Sequence, residues 1–224
     1  MDTMLDTQAE PLPALPVFDG VARSHMAWLS SVGQRHSLRR GDILFERGQP
    51  VQALFILLSG HIKLFVQATA GQDKVLEFFK PGDVFGESVL LPNHRWSASA
   101  QALFPCKLLA LDLGDLATAV ERSPAFGLRL LASLSQRVEG HLLDQQSSAL
   151  RSAVQRVAEY VLKQPKAGNQ ARLLYHKRAI ASRLGLQPET FSRSLKQLVT
   201  DGLITVQGSR IVIHNEPALR AVLG

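Results

Sequence analysis

The sequence predicts an α+β chain: an N-terminal β-roll, then a long helix, then a C-terminal winged helix-turn-helix. Three observations carry that prediction. Short apolar runs alternate with glycine turns between Ser37 and Asp112. The stretch from Leu128 to Ser147 has no proline and a single glycine, Gly140. The stretch from His176 to Asp201 reads as two helices around a tight turn, with a hairpin pattern behind it. At 224 residues and 46% apolar content, the chain can build one large or two modest domains. The expected division is a flexible arm over 1–17, a roll over 18–122, a pairing helix over 123–148 and the winged unit over 149–224.

The first segment, Met1 to Pro16, is acidic and proline-rich, which suits an arm and neither a secretory nor a mitochondrial leader. Val21 to Val32 follows with a helical apolar face of Val21, Met26, Leu29 and Val32. The roll is read from the runs Ile43–Phe45, Leu54–Leu58, Ile62–Val66, Val75–Phe79, Ser97–Ala102 and Cys106–Leu111. Turn signals such as Gly48-Gln49-Pro50, Ala70-Gly71-Gln72 and Pro81-Gly82-Asp83 separate them. Leu113 to Glu121 reads as a short helix. In the long helix that starts near Pro124, Leu131, Leu134, Val138 and Leu142 repeat at three- and four-residue spacing, with His141 beside the seam. One edge of this helix has no obvious cover in a chain of this size, so pairing with a second copy as a short parallel coiled coil is expected. The polar run Asp144–Ser148 reads as a hinge. Val154–Leu162 reads as a helix, Pro165–Asn169 as a loop and Leu173–Tyr175 as a short strand.

In the two-helix stretch, Ile180, Ala181 and Leu184 face inward, Gly185 ends the first helix, and Pro188 opens the second. Phe191, Leu195 and Leu198 form the second helix's buried stripe. Its opposite face carries Glu189, Thr190, Ser192, Arg193 and Lys196. Glu189 and Arg193 stand one turn apart. They can make a solvated ion pair worth roughly 0.2–0.5 kcal/mol, or they can read base edges, Arg on guanine and Glu on a cytosine amino group. Helix-turn-helix spacing favours the second reading. Ser209 and Arg210, in the hairpin behind, are positioned as backbone contacts.

Charge is divided unevenly. Residues 151–224 hold 12 Lys/Arg against 4 Asp/Glu, while residues 1–150 hold 13 against 15. The basic excess lies in the segment with the two helices, as a nucleic-acid partner would require. Cys106 is the sole cysteine, so one chain can build neither a disulfide nor a cysteine-ligated cluster, and a reducing cytoplasm fits. No apolar run reaches about 18 residues, so no membrane span is expected.

Taken together, Gly41–Phe45 with Gly48 and Pro50, Phe55–Leu64, Pro81–Glu87, and Ala181–Arg193 with Gly202-Leu203-Ile204 resemble the cyclic-AMP-receptor-protein/fumarate-nitrate-regulator (CRP/FNR) superfamily over about residues 18–214. The resemblance implies a double-stranded β-helix of the cyclic-nucleotide-binding type, a dimerisation helix (Leu131, Leu134, Val138, His141, Leu142) and a homodimer that binds two-fold symmetric double-stranded DNA. It implies RNA polymerase as a further partner, with either activation or repression as the output. It also places Gln187, Glu189, Thr190, Ser192, Arg193 and Lys196 on the DNA, with Ser209 and Arg210 from the wing. The Glu-x-x-Ser-Arg arrangement resembles the fumarate-nitrate branch, whose half-sites resemble TTGAT. The run Gln187–Arg193 is similar to the regulators of dissimilatory nitrate respiration.

The same resemblance implies an effector pocket at Phe85, Gly86, Glu87, Arg95, Trp96 and Ser97. Cyclic-nucleotide binders carry an arginine before Ser-Ala to hold the phosphate. Here Trp96 takes that place and Arg95 sits one residue earlier, on the other face of a strand, which argues against a cyclic nucleotide. The N-terminal cysteine cluster of oxygen-sensing relatives is absent, which argues against an iron–sulfur sensor. A small-molecule or gas signal of redox or nitric-oxide type is expected instead, with haem as the candidate cofactor and His25 and His141 as candidate axial ligands. The rival reading, a cupin-like metal enzyme, needs a His-x-His pair, and the sequence has none.

Overall fold

The computed structural model describes residues 10–67 and 73–224; the expected turn Ala70-Gly71-Gln72 lies outside the described residues. The described residues form two compact units, divided between Val138 and Glu139.

The first unit opens with a short 3₁₀ turn at Pro16–Phe18 and α1 (Arg23–Val32). Strands β1 (Gln34–Leu38), β2 (Ile43–Phe45), β3 (Leu54–Ser59), β4 (Ile62–Gln67), β5 (Asp73–Phe79), β6 (Val84–Phe85), β7 (Ser99–Ala102) and β8 (Cys106–Leu111) follow. They form two antiparallel sheets, ordered β1-β8-β3-β6 and β2-β7-β4-β5. The strand period explains why β3 and β8 are almost continuously apolar. In β3, Leu54, Ile56 and Leu58 join one buried cluster with Leu29, Leu116 and Phe126 from the helices. Phe55 and Leu57 join another with Phe45, Phe79, Phe85 and Leu108. A strand buried on both faces cannot alternate with polar residues.

The expectation of a flexible arm over 1–17 is corrected from residue 10 onward. The Ser30 hydroxyl donates to the Glu10 carbonyl at 2.7 Å, and Lys107 pairs with the Glu10 carboxylate at 3.1 Å. Leu12 and Leu15 pack on the core, and Val17 and Phe18 are buried. Three prolines restrict this segment to extended backbone, which lowers the entropy lost when it lies down.

Helix α2 (Leu113–Arg122) starts on an Asp112 cap that accepts from the Asp115 amide at 2.8 Å. Helix α3 (Pro124–Leu150) then runs 27 residues. It passes straight through Asp144–Ser148, so the expected hinge is helix. Nothing in Asp-Gln-Gln-Ser-Ser removes an amide or frees a backbone. The break comes instead after Leu150, where Ser152 and Gln155 form a reciprocal capping box that opens α4 (Ala153–Lys163).

In the second unit, β9 (Lys166–Ala167) and β10 (Gln170–Arg172) precede α5 (Lys177–Arg183) and α6 (Pro188–Thr200). Strands β11 (Ile204–Gln207) and β12 (Arg210–Ile213) and helix α7 (Glu216–Ala221) close the chain. The sheet order is β11-β12-β10-β9, all antiparallel. The strand expected at Leu173–Tyr175 lies three residues earlier, where only Ala171 faces the core. The core joins Val157, Ala158 and Val161 of α4 to Ile180, Ala181, Phe191, Leu195, Leu198, Ile204, Ile211 and Leu219.

His25 makes a stability prediction for the first unit. Its ring is buried beside Trp28 (5.3 Å) and Phe126 (6.0 Å). Burial, and then the Arg122 charge, hold its pKa below 6.5. Burial also lowers His36 and His61. A lowered folded-state histidine pKa means that the unfolded chain binds more protons below pH 6.5. Stability is therefore complete above that pH and falls as pH drops below it. Both tryptophans, Trp28 and Trp96, lie in this unit. A fluorescence melt at pH 5.5 should thus show a lower Tm than one at pH 7.5, and His25→Phe should reduce the difference.

Candidate nucleic-acid interface and effector pocket

The turn between α5 and α6 is fixed by backbone geometry. Gly185 sits at φ +67°, a left-handed conformation that side-chain-bearing residues rarely adopt. Its amide donates to Ser182 O at 3.1 Å and the Leu186 amide to Ala181 O at 2.9 Å, the paired bonds of a Schellman end. Leu186 packs on the core. The Leu184 carbonyl, left over at the helix end, accepts from Arg156 Nη1 at 2.9 Å. Gln187 then precedes Pro188, the first residue of α6, without spending its side chain as a cap.

The inward stripe of Phe191, Leu195 and Leu198 is buried as expected, together with Ser194. On the outward side Gln187, Glu189, Ser192, Arg193 and Lys196 are exposed and Thr190 is half-buried. Among the described residues none of these side chains has a partner in the chain, and Glu189 and Arg193 make no ion pair with each other. Ser209 and Arg210 are exposed at the β11–β12 turn.

In the roll, Gly86 (φ +94°) begins a 3₁₀ turn, Glu87–Leu90. A Cβ on Gly86 would come within 2.7 Å of the Ala53 carbonyl oxygen and 3.1 Å of the Trp96 ring, so only glycine fits. Trp96 stacks flat on Phe45, with centroids 3.6 Å apart and planes at 6°. Phe85 stacks on Phe79 at 4.3 Å. Arg95 is exposed and donates to the Gly48 carbonyl at 2.8 Å, while Ser97 is exposed. Sequence reasoning placed Glu87 in the pocket but missed what it meets. Arg137 of α3 donates to Glu87 Oε2 at 3.1 Å and to the Val84 carbonyl at 3.1 Å, and it pairs with Glu77 at 3.3 Å. The guanidinium lies 5.3 Å over the Phe79 ring. Separations of 50 to 60 residues left no local sequence signal for this cluster.

The two haem-ligand candidates do not enclose a haem in the single chain. His25 Nε2 is buried without a partner, but Trp28 and Phe126 cover its ring, and a porphyrin would displace that packing. His141 is exposed on α3, where a haem would lie in solvent. Among the described residues no three His, Cys, Asp or Glu side chains converge to hold a metal ion, and no helix is long and apolar enough to cross a membrane.

A helix-turn-helix with a bare polar face, preceded by a glycine-turned roll, defines a DNA-binding regulator with an effector-binding domain. Residues 35–123 match the cyclic nucleotide-binding domain family and residues 155–222 the Crp-like helix-turn-helix domain family. The cyclic AMP receptor protein of Thermus thermophilus is 30% identical over 92% of this chain and 96% of its own length. The transcriptional activator protein anr of Pseudomonas aeruginosa is 27% identical over 84% and 79%. The structure of FixK2 from Bradyrhizobium japonicum superposes with a TM-score of 0.73 over 86% of this chain and 98% of that one; at 23% identity this shows the fold. The chain belongs to the CRP/FNR family of transcription regulators. It is a DNA-binding regulator that responds to an effector, and it is not an enzyme.

Proposed function

We propose that the protein acts in the cytoplasm as a homodimeric activator that binds a palindromic site with TTGAT-like half-sites and works with RNA polymerase. Leu131, Leu134, Val138, His141 and Leu142 pair two copies along α3. Arg193 donates to guanine and Glu189 accepts from the cytosine paired with it. Gln187, Thr190, Ser192 and Lys196 complete the contact from α6, and Ser209 and Arg210 hold the backbone. The observation that carries this reading is the row of polar side chains on α6 with no intrachain partners. A polar face left unsatisfied by its own chain is available to base edges.

The roll's phosphate-binding position argues for an effector other than a cyclic nucleotide. Trp96 fills the phosphate-arginine position with an aromatic stack, and Arg95 is turned to Gly48. The signal is of redox or nitric-oxide type. That assignment rests on the likeness of Gln187–Arg193 to nitrate-respiration regulators. The histidine geometry supports no haem step.

A second reading, cyclic-nucleotide response, is favoured by the 30% identity to a cyclic AMP receptor protein. One titration separates the two. Fluorescence anisotropy on a TTGAT-N4-ATCAA duplex against a scrambled duplex should show selective binding, unchanged by saturating cyclic AMP and changed by a nitric-oxide donor. A rise in affinity with cyclic AMP alone would support the second reading.

A further inference from the structure

The outer face of the second unit's sheet carries an arrangement that α6 does not use. Strand register sets Arg172 of β10 directly opposite Arg210 of β12, and Arg210 directly opposite Gln207 of β11. The three side chains are exposed, while their neighbours Ala171 and Ile211 enter the core. They therefore make one row across the sheet. Directly opposed residues on antiparallel strands have Cα atoms about 4.5–5.5 Å apart, and like charges in that relation destabilise a sheet. Neither guanidinium has a carboxylate among the described residues. The nearby Lys166 is matched with Glu216 at 2.7 Å, but nothing matches the arginine pair. The row borders an open depression of about 660 Å³, whose wall also includes Lys166, Gln170 and Ser209.

We propose that Arg172 and Arg210 together grip one phosphate of the DNA backbone, with Gln207 as a further donor. This makes Arg172 a DNA-contacting residue outside the helix-turn-helix and its wing turn. A phosphate between the two guanidinium forks turns a repulsive cross-strand pair into an attractive one, and the planar fork matches phosphate geometry. DNA is the occupant favoured by charge: residues 151–224 hold 12 Lys/Arg and 4 Asp/Glu. The phosphate grip adds affinity without reading sequence, because phosphates carry no base information.

The inference rests on the DNA-binding reading above, and the test keeps the two apart. Anisotropy titrations over a range of salt are run on the full-length protein with specific and scrambled duplexes. The proteins are wild type, Arg172→Ala, Arg172→Lys, Arg210→Ala, the Arg172→Ala/Arg210→Ala double variant and Arg193→Ala. Circular dichroism confirms that each is folded. Arg172→Ala should weaken both duplexes by the same factor, about 3- to 10-fold at 0.15 M salt. It should also lower the slope of log K against log salt by about one per protomer. Arg172→Lys should restore most of the slope. The double variant should lose about one unit, not two, because both arginines hold the same phosphate. An unchanged slope for Arg172→Ala, with Arg193→Ala still losing selectivity, overturns the grip alone and leaves this face to a protein partner. A double-variant loss of two units overturns the sharing. Unchanged selectivity for Arg193→Ala counts against the base-reading assignment, whatever Arg172 does.

Discussion

Val138→Glu should give a monomeric protein that no longer binds its operator. The reason lies in what one chain leaves uncovered along α3. Leu131 is 62% exposed, Val138 54% and Leu142 56%, while Leu134 is less open at 37%. Fully burying one such side chain contributes about 1.5–3 kcal/mol, and a symmetric seam counts each twice. Val138 stands in the middle of this row. A glutamate there brings a carboxylate from each copy into the seam, like charge against like, and an unpaired buried charge is among the most destabilising changes available. Because Val138 is exposed in the single chain, its replacement leaves the fold of each unit alone. Sedimentation at micromolar concentration should report monomers with unchanged circular dichroism. Gln136→Glu, two residues away and on the opposite side of the helix, should remain dimeric. Loss of the second recognition helix removes the avidity of a two-site grip, worth about 10²- to 10⁴-fold. A Val138→Glu protein that stays dimeric would place the interface elsewhere.

The sequence made visible those parts of the molecule whose reasons are local. β3 and β8 announce themselves because both faces are buried, so all but Ser59 and Lys107 are apolar. Gly185 and Pro188 mark the turn because each has a backbone property that no other residue supplies as well. β1 passed unseen because Gln34–Leu38 is a polar edge strand that pairs only with β8. β10 lies three residues before its expected place for a related reason: Leu173 and Tyr175 look more like a strand than Gln170–Arg172, whose outward residues are polar and exposed. The polar run before Leu150 looked like a hinge, yet composition alone does not end a helix that lacks a cap or a breaker. The pocket was half legible. Glu87 and Trp96 could be placed by their neighbours, but Arg137 reaches Glu77 and Glu87 only through the fold. That contact ties α3 to the turn that opens the pocket, through one carboxylate oxygen of Glu87.

Arg193→Ala should remove selectivity for the guanine of the half-site while leaving a protein that still binds DNA. On α6 Arg193 is exposed and has no partner in the chain, so its removal breaks no fold contact. A bidentate arginine–guanine contact discriminates by about 1–3 kcal/mol, which is roughly 5- to 150-fold per half-site. Base reading and phosphate binding predict different residues to this loss. If Arg193 reads guanine, the wild type should lose affinity when that guanine is replaced by adenine, and Arg193→Ala should respond much less, keeping only what Glu189 reads on the paired cytosine. If Arg193 only neutralises phosphate, both proteins should respond to the base change equally, and the variant should differ only in its salt slope. Arg193→Lys sharpens the comparison, since it keeps the charge and gives up the planar fork. It should recover the salt slope but only part of the guanine preference. Glu189 enters the same argument from the other side. It makes no ion pair with Arg193 in the free chain, so Glu189→Ala should leave the Arg193–guanine contact standing and weaken, without abolishing, the preference for that G·C pair. A Glu189→Ala protein that loses the G·C preference entirely would mean that the two side chains act as one unit on the DNA, and that the pair forms only there.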